Sequence, residues 1–320
     1  MRGWWKFPST VGIGLAVLCA ACSSAGNQGS PGQAQAAAHP GTAITVGSFD
    51  FPESVLLAYV YGDALAARGF PVRVLPNLGT RELVDPALMN GLIQLVPEYS
   101  GSALDFMSLG RQPATSDAAA TYAALARAAG RRGLVATEPA PAQDGNAIVV
   151  TEATAARYHL RTIADLGGLT QNFVFGGPPE CPERAYCLPG LERTYGLHFK
   201  AFTPTDAGGP LTLQALSSGQ IRVGLVFTTD PSIPARHLVI LADNGGLQPA
   251  ENITPLIRRD TVARYGPRLV AALDAVSARL STASLRHLDA RVELYRQDPR
   301  RVADSWLRAQ DLIPERQGVR

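Results

Sequence analysis

The chain has 320 residues, of which 46% are hydrophobic and 18% charged, and its formal net charge is +2. This composition is typical of a globular protein and excludes a disordered or fibrous chain. The small net charge and the scattered arginine pairs give no sign of a nucleic-acid-binding surface, so no nucleic-acid partner is expected.

The N-terminus predicts an export signal that ends in a lipidated cysteine. Basic residues precede an apolar run from 11 to 18, which is well short of the roughly 20 residues that a membrane-spanning helix needs. Small residues directly before Cys22 resemble the lipobox of bacterial lipoproteins, although Cys19 stands where that motif has leucine. The resemblance implies that 1–22 is the signal and that Cys22 anchors the protein to the outer face of the cytoplasmic membrane. A plain secretory signal cleaved after Ala21 is the alternative.

Residues 23–42 predict a flexible tether, because they are rich in Ser, Gly, Gln, Ala and Pro and have no apolar period. From there on, strand and helix patterns alternate along the chain, which is the βαβ rhythm of an α/β protein with largely parallel sheets. Strands are predicted at 44–48, 71–75, 93–96, 133–136, 147–151, 172–175, 221–227 and 237–241. Helices are predicted at 54–68, 103–109, 114–132 and 152–166, and again after a loop that runs through Pro255.

Two of the predicted strands, 147–151 and 224–227, are suited to cross between two lobes. This arrangement places residues 43–146 and 228–320 in lobe I and residues 147–227 in lobe II, with a cleft between the lobes. Small ligands usually bind in such clefts.

The most informative segment follows the strand 93–96, which Pro97 is expected to close because proline cannot donate to a sheet. The turn Ser100-Gly101-Ser102 precedes a predicted helix, whose first free N–H groups are suited to an anion. Tyr99 offers a ring face to a cation at the same turn. The pattern therefore predicts a site for a small ligand that carries both charges.

The cysteines in the body of the chain predict a disulfide. Cys181 and Cys187 lie close together in a chain that is expected to be exported, and a bridge between them would tighten a short loop. A zinc site would need two further ligands, and no histidine lies near the pair, so no metal is expected. The chain also has no nucleophile elbow, metal-ligand spacing or phosphate-binding loop, so neither an enzyme nor a cofactor is expected.

Five segments, in this order, resemble the osmoprotectant substrate-binding lipoproteins of ABC importers, the glycine betaine, choline and carnitine class. The segments are Gly47-Ser-Phe-Asp-Phe-Pro-Glu53, Asn77-Leu-Gly-Thr80, Pro97-Glu-Tyr-Ser-Gly-Ser102, Glu180-Cys-Pro-Glu-Arg184 with Pro189-Gly-Leu191, and Val226-Phe-Thr-Thr-Asp230. The resemblance implies a two-lobed periplasmic-binding-protein fold of type II, an α/β fold with two crossover strands. It also implies capture of a small cationic or zwitterionic solute and delivery to a membrane permease.

The resemblance also implies site residues where the sequences agree. The tyrosine of the ligand cage falls on Tyr99, a neighbouring hydroxyl on Ser102 and the arginine that binds carboxylates on Arg184. Arg184 is alternatively part of a salt bridge that latches the lobes. The expected ligand set is Phe49, Asp50, Tyr99, Ser102, Asn146, Arg184, Phe227 and Asn252.

Five members of this set depart from the family pattern or have a second interpretation. Phe49 stands in place of a lysine, Asn146 and Phe227 stand in place of tyrosines, and a further family tyrosine falls near Glu251 or Asn252. Asp50 either pairs with an ammonium group or caps the helix after it. These changes favour choline, or a ligand with more hydroxyl groups, over glycine betaine. An uncharged polar solute and a solute-sensing lipoprotein are the alternative functions.

Overall fold

The computed structural model describes residues 43–314, except 112, 113 and 207. The predicted signal, its lipidated Cys22 and the tether lie outside the described residues. The strands are β1 (Ile44–Gly47), β2 (Val72–Leu75), β3 (Leu95–Tyr99), β4 (Leu134–Ala136), β5 (Asn146–Thr151), β6 (Val174–Gly177), β7 (Ala201–Pro204), β8 (Val223–Phe227), β9 (Leu238–Ile240) and β10 (Ile253–Arg258).

The α-helices are α1 (Pro52–Ala67), α2 (Arg81–Met89), α3 (Ser100–Ser108), α4 (Ala118–Arg131), α5 (Glu152–Tyr158), α6 (Leu188–Tyr195), α7 (Pro210–Ser218), α8 (Ser232–Ala235), α9 (Arg259–Tyr265), α10 (Pro267–Ser277), α11 (Thr282–Glu293) and α12 (Pro299–Ala309). Short 3-10 segments lie at Ile163–Leu166, Thr170–Asn172 and Cys181–Glu183.

The strands form two five-stranded sheets, which we call sheet 1 and sheet 2. Sheet 1 has the order β2-β1-β3-β10-β4 and sheet 2 the order β7-β6-β8-β5-β9. In sheet 1, β1 is parallel to β2 and β3, and β10 runs antiparallel to β3 and β4. In sheet 2, β6 is parallel to β7 and β8, and β5 runs antiparallel to β8 and β9. The predicted α/β architecture is confirmed.

Helix α1 anchors the core of sheet 1 because it is apolar on nearly all sides. It packs against α10, α11 and α12, and Tyr61 lies fully buried with its hydroxyl 3.0 Å from the Ser277 hydroxyl. Pro52 opens the helix, where its missing N–H is not needed, and Gly69 follows the end with a φ of +84°. The start of α1 is thereby fixed directly beside the ends of β1 and β3.

Two segments connect the sheets, 137–145 on the way out from β4 and 241–252 on the way back to β10. They run side by side, because Gln143 pairs with Asn252 and the Asp144 N–H donates to the Glu251 carbonyl at 3.0 Å. The prediction that the chain returns to the first lobe after residue 227 is wrong. Strand β9 pairs with β5, so the chain stays in sheet 2 through residue 240.

The prediction that Pro97 closes a strand is wrong. Pro97 lies inside β3, opposite Pro255 of β10. Two facing prolines have no N–H to exchange, so they occupy a pair that is not hydrogen-bonded in the antiparallel ladder. The predicted loop through Pro255 is accordingly the strand β10. The predicted helix 152–166 is also shorter, since α5 ends at Tyr158 and His159 adopts a left-handed conformation.

Candidate functional site

A cavity of about 760 Å³ lies where sheet 1 and sheet 2 meet. Phe49 and Tyr99 stand at the carboxyl ends of the parallel strands β1 and β3, and open α/β sheets commonly bind ligands at this edge. Phe227 ends β8 and pairs with Asn146, which begins the antiparallel β5. Residues from both sheets therefore face one space.

The cavity contains seven of the eight expected ligand residues. These are Phe49, Asp50, Tyr99, Ser102, Asn146, Arg184 and Phe227. Asn252 does not line the cavity, because its side-chain amide turns away and donates to the Ala140 carbonyl at 2.8 Å. Its neighbour Glu251 lines the cavity instead, so of the two positions considered for the missing family tyrosine the structure favours Glu251.

Four rings form what we call the aromatic cluster, namely Phe49, Phe51, Tyr99 and Phe227. Phe51 lies 5.9 Å from Phe49, 6.0 Å from Tyr99 and 5.2 Å from Phe227, measured between ring centroids. Phe51 and Phe227 are half-buried, whereas Phe49 and Tyr99 are buried. A ligand in the cavity therefore reaches the rings of Phe51 and Phe227 more fully than those of Phe49 and Tyr99.

Sequence reasoning missed Phe51, although a signal for it was present. Phe51 lies two residues after Phe49, directly before α1, and its own backbone is extended, with φ −130° and ψ 155°. Its ring stacks on that of Phe49, while the Arg81 guanidinium lies 5.0 Å from the Phe49 ring centroid. The alternation Phe49-Asp50-Phe51 could have indicated the pair. Asp50 is exposed at the cavity and makes no capping hydrogen bond to α1.

A buried acid cluster of Glu53, Asp144 and Asp289 lies behind the aromatic cluster. The Tyr99 hydroxyl donates to Glu53 Oε1 at 2.6 Å, and the Thr229 hydroxyl donates to Glu53 Oε2 at 2.7 Å. Burial raises the pKa of all three carboxyl groups, and the Glu53 charge further raises the pKa of Asp144 and Asp289. The bond to Glu53 holds the Tyr99 ring in place, and burial raises the pKa of the Tyr99 hydroxyl well above its usual value.

The start of α3, which was expected to hold an anion from the ligand, already holds the carboxylate of Glu251. Its oxygens accept from the Gly101 N–H at 2.9 Å, from the Ser102 N–H at 3.0 and 3.1 Å, and from the Ser102 hydroxyl at 2.6 Å. Glu251 is only 3% exposed, and burial raises its pKa from 4.5 to about 7 while the bonds from Ser102 lower it. The expected anion site is therefore filled by the protein itself.

The opposite wall of the cavity is a loop closed by the disulfide Cys181–Cys187, which confirms the predicted bridge. Arg184 in this loop pairs with Glu82 of α2 at 2.8 Å and with Glu180 at 3.5 Å. Because Glu82 lies beside sheet 1, the ion pair joins the loop to α2. This matches the interpretation of Arg184 as part of a salt bridge between lobes.

The charges that line the cavity favour a cation. Seven carboxyl groups face three guanidinium groups, and the carboxyl groups outnumber the guanidinium groups even without Asp144 and Glu251, whose pKa burial raises. Arg81 is paired with the buried Glu98 through two bonds of 2.8 and 2.9 Å. Asn146 adds an amide that donates to Gln248 Oε1 at 3.3 Å. An aromatic cluster within an acidic cavity can hold an organic cation through ring faces and charge together. Within residues 43–314, outside the three undescribed positions, no group of His, Cys, Asp and Glu side chains is arranged to hold a metal ion.

Comparison with known proteins gives a consistent family. Residues 42–309 match the model of the substrate-binding domain of ABC-type glycine betaine transport systems. The chain is 28% identical to the glycine-betaine-binding protein of Pseudomonas aeruginosa, over 86% of this chain and 90% of that protein. It is 26% identical to the glycine betaine-binding protein YehZ of Escherichia coli, over 83% of this chain and 90% of that one.

The fold is also that of a solved glycine betaine/carnitine/choline ABC transporter structure, with a TM-score of 0.67 and 20% identity. The match covers 84% of this chain and 99% of the other. This likeness confirms the expected two-lobed α/β fold. None of the helices in the described part of the chain is long and apolar enough to span a membrane.

Proposed function

Because the chain belongs to the family of substrate-binding domains of ABC-type glycine betaine transport systems, we propose that it captures a small quaternary-ammonium solute for the permease of an importer. One observation carries the proposal. The ring of Phe51, on the side of sheet 1, and the ring of Phe227, on the side of sheet 2, have centroids 5.2 Å apart. They lie in a cavity with an excess of carboxyl groups. The family is one of binding proteins, so no residue is assigned a catalytic role.

In this proposal the ammonium group rests against the half-buried rings of Phe51 and Phe227, with Tyr99 and Phe49 behind them. Each contact between a cation and a ring contributes about 0.5–2 kcal/mol, and the larger values apply where water is excluded. The bond from Tyr99 to Glu53 keeps the ring from turning when the site is empty, which lowers the cost of ordering it on binding.

Polar residues at the cavity complete the proposed site. Asp50 offers a negative charge beside the rings, and Asn146 and Ser102 offer hydrogen-bonding groups on opposite sides of the cavity. Arg184 is proposed to act on the ligand indirectly, because Glu82 and Glu180 already compensate its charge. Asn252 is left out of the proposed site because its amide does not reach the cavity.

Binding is proposed to act as a clamp. We assign residues 43–136 and 253–314 to lobe I and residues 146–240 to lobe II, which open and close about the connecting segments 137–145 and 241–252. A solute that touches both lobes favours the closed state, because it binds that state better. The ion pair between Arg184 and Glu82 forms only while the disulfide loop lies near α2, so it is proposed to favour closure as well.

We further propose that Cys22 carries a lipid and that 23–42 tethers the folded part at the outer face of the cytoplasmic membrane. The support is the lipobox-like sequence before Cys22 and the composition of the segment after it. Mass spectrometry of the protein purified from a bacterial membrane fraction tests this, since a diacylglycerol on Cys22 adds a defined mass. An unmodified N-terminus generated at another residue would contradict it.

The binding proposal is tested by calorimetric titration of the purified protein with choline, glycine betaine, carnitine and, as an uncharged control, sorbitol. At least one quaternary ammonium compound should bind, and Tyr99→Ala should weaken that binding about tenfold or more by removing a ring of the aromatic cluster. The matched control is Phe202→Ala, an aromatic residue in β7 that does not line the cavity. Binding of sorbitol without any ammonium compound would contradict the proposal and favour an uncharged solute.

A further inference from the structure

The carboxylate of Glu251 occupies the place where a ligand carboxylate would gain most. The first N–H groups of a helix carry partial positive charge and attract anions, and α3 begins at Ser100 directly after the end of β3. Both Glu251 oxygens are engaged there by Gly101 and Ser102. The cavity nevertheless reaches this point, because Ser102 and Glu251 both line it.

A ligand carboxylate would meet further negative charge at the same wall. Asp105, one turn along α3 from Gly101, also lines the cavity. Two carboxylates a few ångströms apart repel each other most strongly where water is excluded, and Glu251 is only 3% exposed. This wall therefore disfavours an acid group and suits a hydrogen-bond donor or a second positive charge.

The arginines of the cavity do not offer an equal alternative for a ligand carboxylate. Arg81 is held in a bidentate pair with Glu98, and Arg184 pairs with Glu82 and Glu180. The third, Arg193, is exposed and donates to the Ala185 carbonyl at 3.3 Å. A carboxylate drawn to Arg193 would compete with that bond and with water.

We propose that Glu251 sets the ligand class of this cavity: it fills the start of α3 with the protein's own carboxylate, so that the cavity takes an organic cation with a hydroxyl or another donor in its tail and rejects cations whose tail is a carboxylate. The inference rests on the proposed function, which it narrows. Choline and glycine betaine are suitable probes, because they share the trimethylammonium group and differ in a hydroxyl against a carboxylate.

The test is calorimetric titration of the purified protein with choline and with glycine betaine at about pH 8.5, above the pKa of about 7 of Glu251, so that this side chain carries its charge. The wild type should bind choline at least about tenfold more tightly, a ratio that corresponds to one like-charge contact at a partly hydrated site. In Glu251→Gln the charge is lost while the length of the side chain is kept, so the ratio should fall about fivefold or more toward equal affinity. In the control Glu192→Gln, which removes an exposed charge on α6 that does not line the cavity, the ratio should stay that of the wild type.

The outcomes separate this inference from the proposed function. Glycine betaine binding as tightly as choline to the wild type would overturn the inference and leave the proposed function standing. An unchanged ratio in a folded Glu251→Gln variant, checked by circular dichroism, would overturn the role of Glu251. Binding of neither compound, nor of carnitine, would overturn the proposed function itself. The wild-type ratio needs no variant, so it decides the ligand class even if Glu251→Gln does not fold.

Discussion

Replacing Glu251 with glutamine should flatten the pH dependence of the protein's stability between about pH 5 and pH 8. In the folded protein burial raises the pKa of this carboxyl group from 4.5 to about 7, whereas in the unfolded chain it ionises near its ordinary value. Between these two values the folded state holds a proton that the unfolded state has lost. The free energy of unfolding therefore falls as the pH rises through this window, and the contribution is fully lost above about pH 7.

The size of the effect follows from the same two values. One pKa unit corresponds to about 1.4 kcal/mol, so the difference between 4.5 and about 7 corresponds to about 3 kcal/mol. That is a large share of the roughly 5–15 kcal/mol by which a typical domain is stable. Glutamine also loses one acceptor for the N–H groups at the start of α3, but this cost is the same at every pH and does not change the slope.

The assay is urea unfolding followed by far-ultraviolet circular dichroism at about pH 5, 6, 7 and 8 for the wild type and Glu251→Gln. The buried acid cluster titrates in both proteins, so the difference between them isolates Glu251. We expect the free energy of unfolding of the variant, relative to that of the wild type, to increase by about 3 kcal/mol from the lowest to the highest pH. A constant difference between variant and wild type across the range would refute the reasoning.

Two further variants test the aromatic cluster and the start of α3. Phe51→Ala should weaken quaternary-ammonium binding about 2- to 30-fold, the equivalent of one contact between a cation and a ring. The control Phe202→Ala should leave this binding unchanged. Equal affinities of the wild type and Phe51→Ala in calorimetry would argue against Phe51 as a contact. Gly101→Ala should lower the free energy of unfolding by about 1–3 kcal/mol through overpacking, as measured in urea. A Cβ at position 101 would lie 2.6 Å from Pro249 Cγ and 3.0 Å from the Ala250 carbonyl oxygen. An unchanged free energy of unfolding in this variant would show that these close contacts relax without cost.

Local features of the fold were well predicted from the sequence because they depend on neighbouring residues. The alternation of strands and helices follows from the spacing of apolar residues along the chain and from residues that end helices, such as Gly69. The bridge between Cys181 and Cys187 follows from their short spacing in a chain that is expected to be exported. Phe49, Tyr99 and Phe227 were placed at strand ends, and Phe49 and Tyr99 meet at a common edge because β1 and β3 are parallel neighbours in sheet 1.

The predictions that were wrong depend on partners far away in the chain. Pro97 ends no strand because Pro255 lies opposite it, and the sequence around either proline does not reveal that register. The anion site at α3 is filled by Glu251, which lies 150 positions from Gly101. Strand β9 joins sheet 2 because β5 offers it an edge, and its short apolar pattern would have suited either sheet. Long-range pairing of this kind follows from the assembled fold rather than from local pattern.

The most direct test of the account is a crystal structure of the protein with bound choline. The account predicts the trimethylammonium group within about 6 Å of the Phe51 and Phe227 ring centroids. It also predicts the choline hydroxyl on the side of Glu251, and the connecting segments 137–145 and 241–252 at the hinge of a closed cleft. Choline bound away from these rings, or an empty cavity at saturating choline, would contradict it.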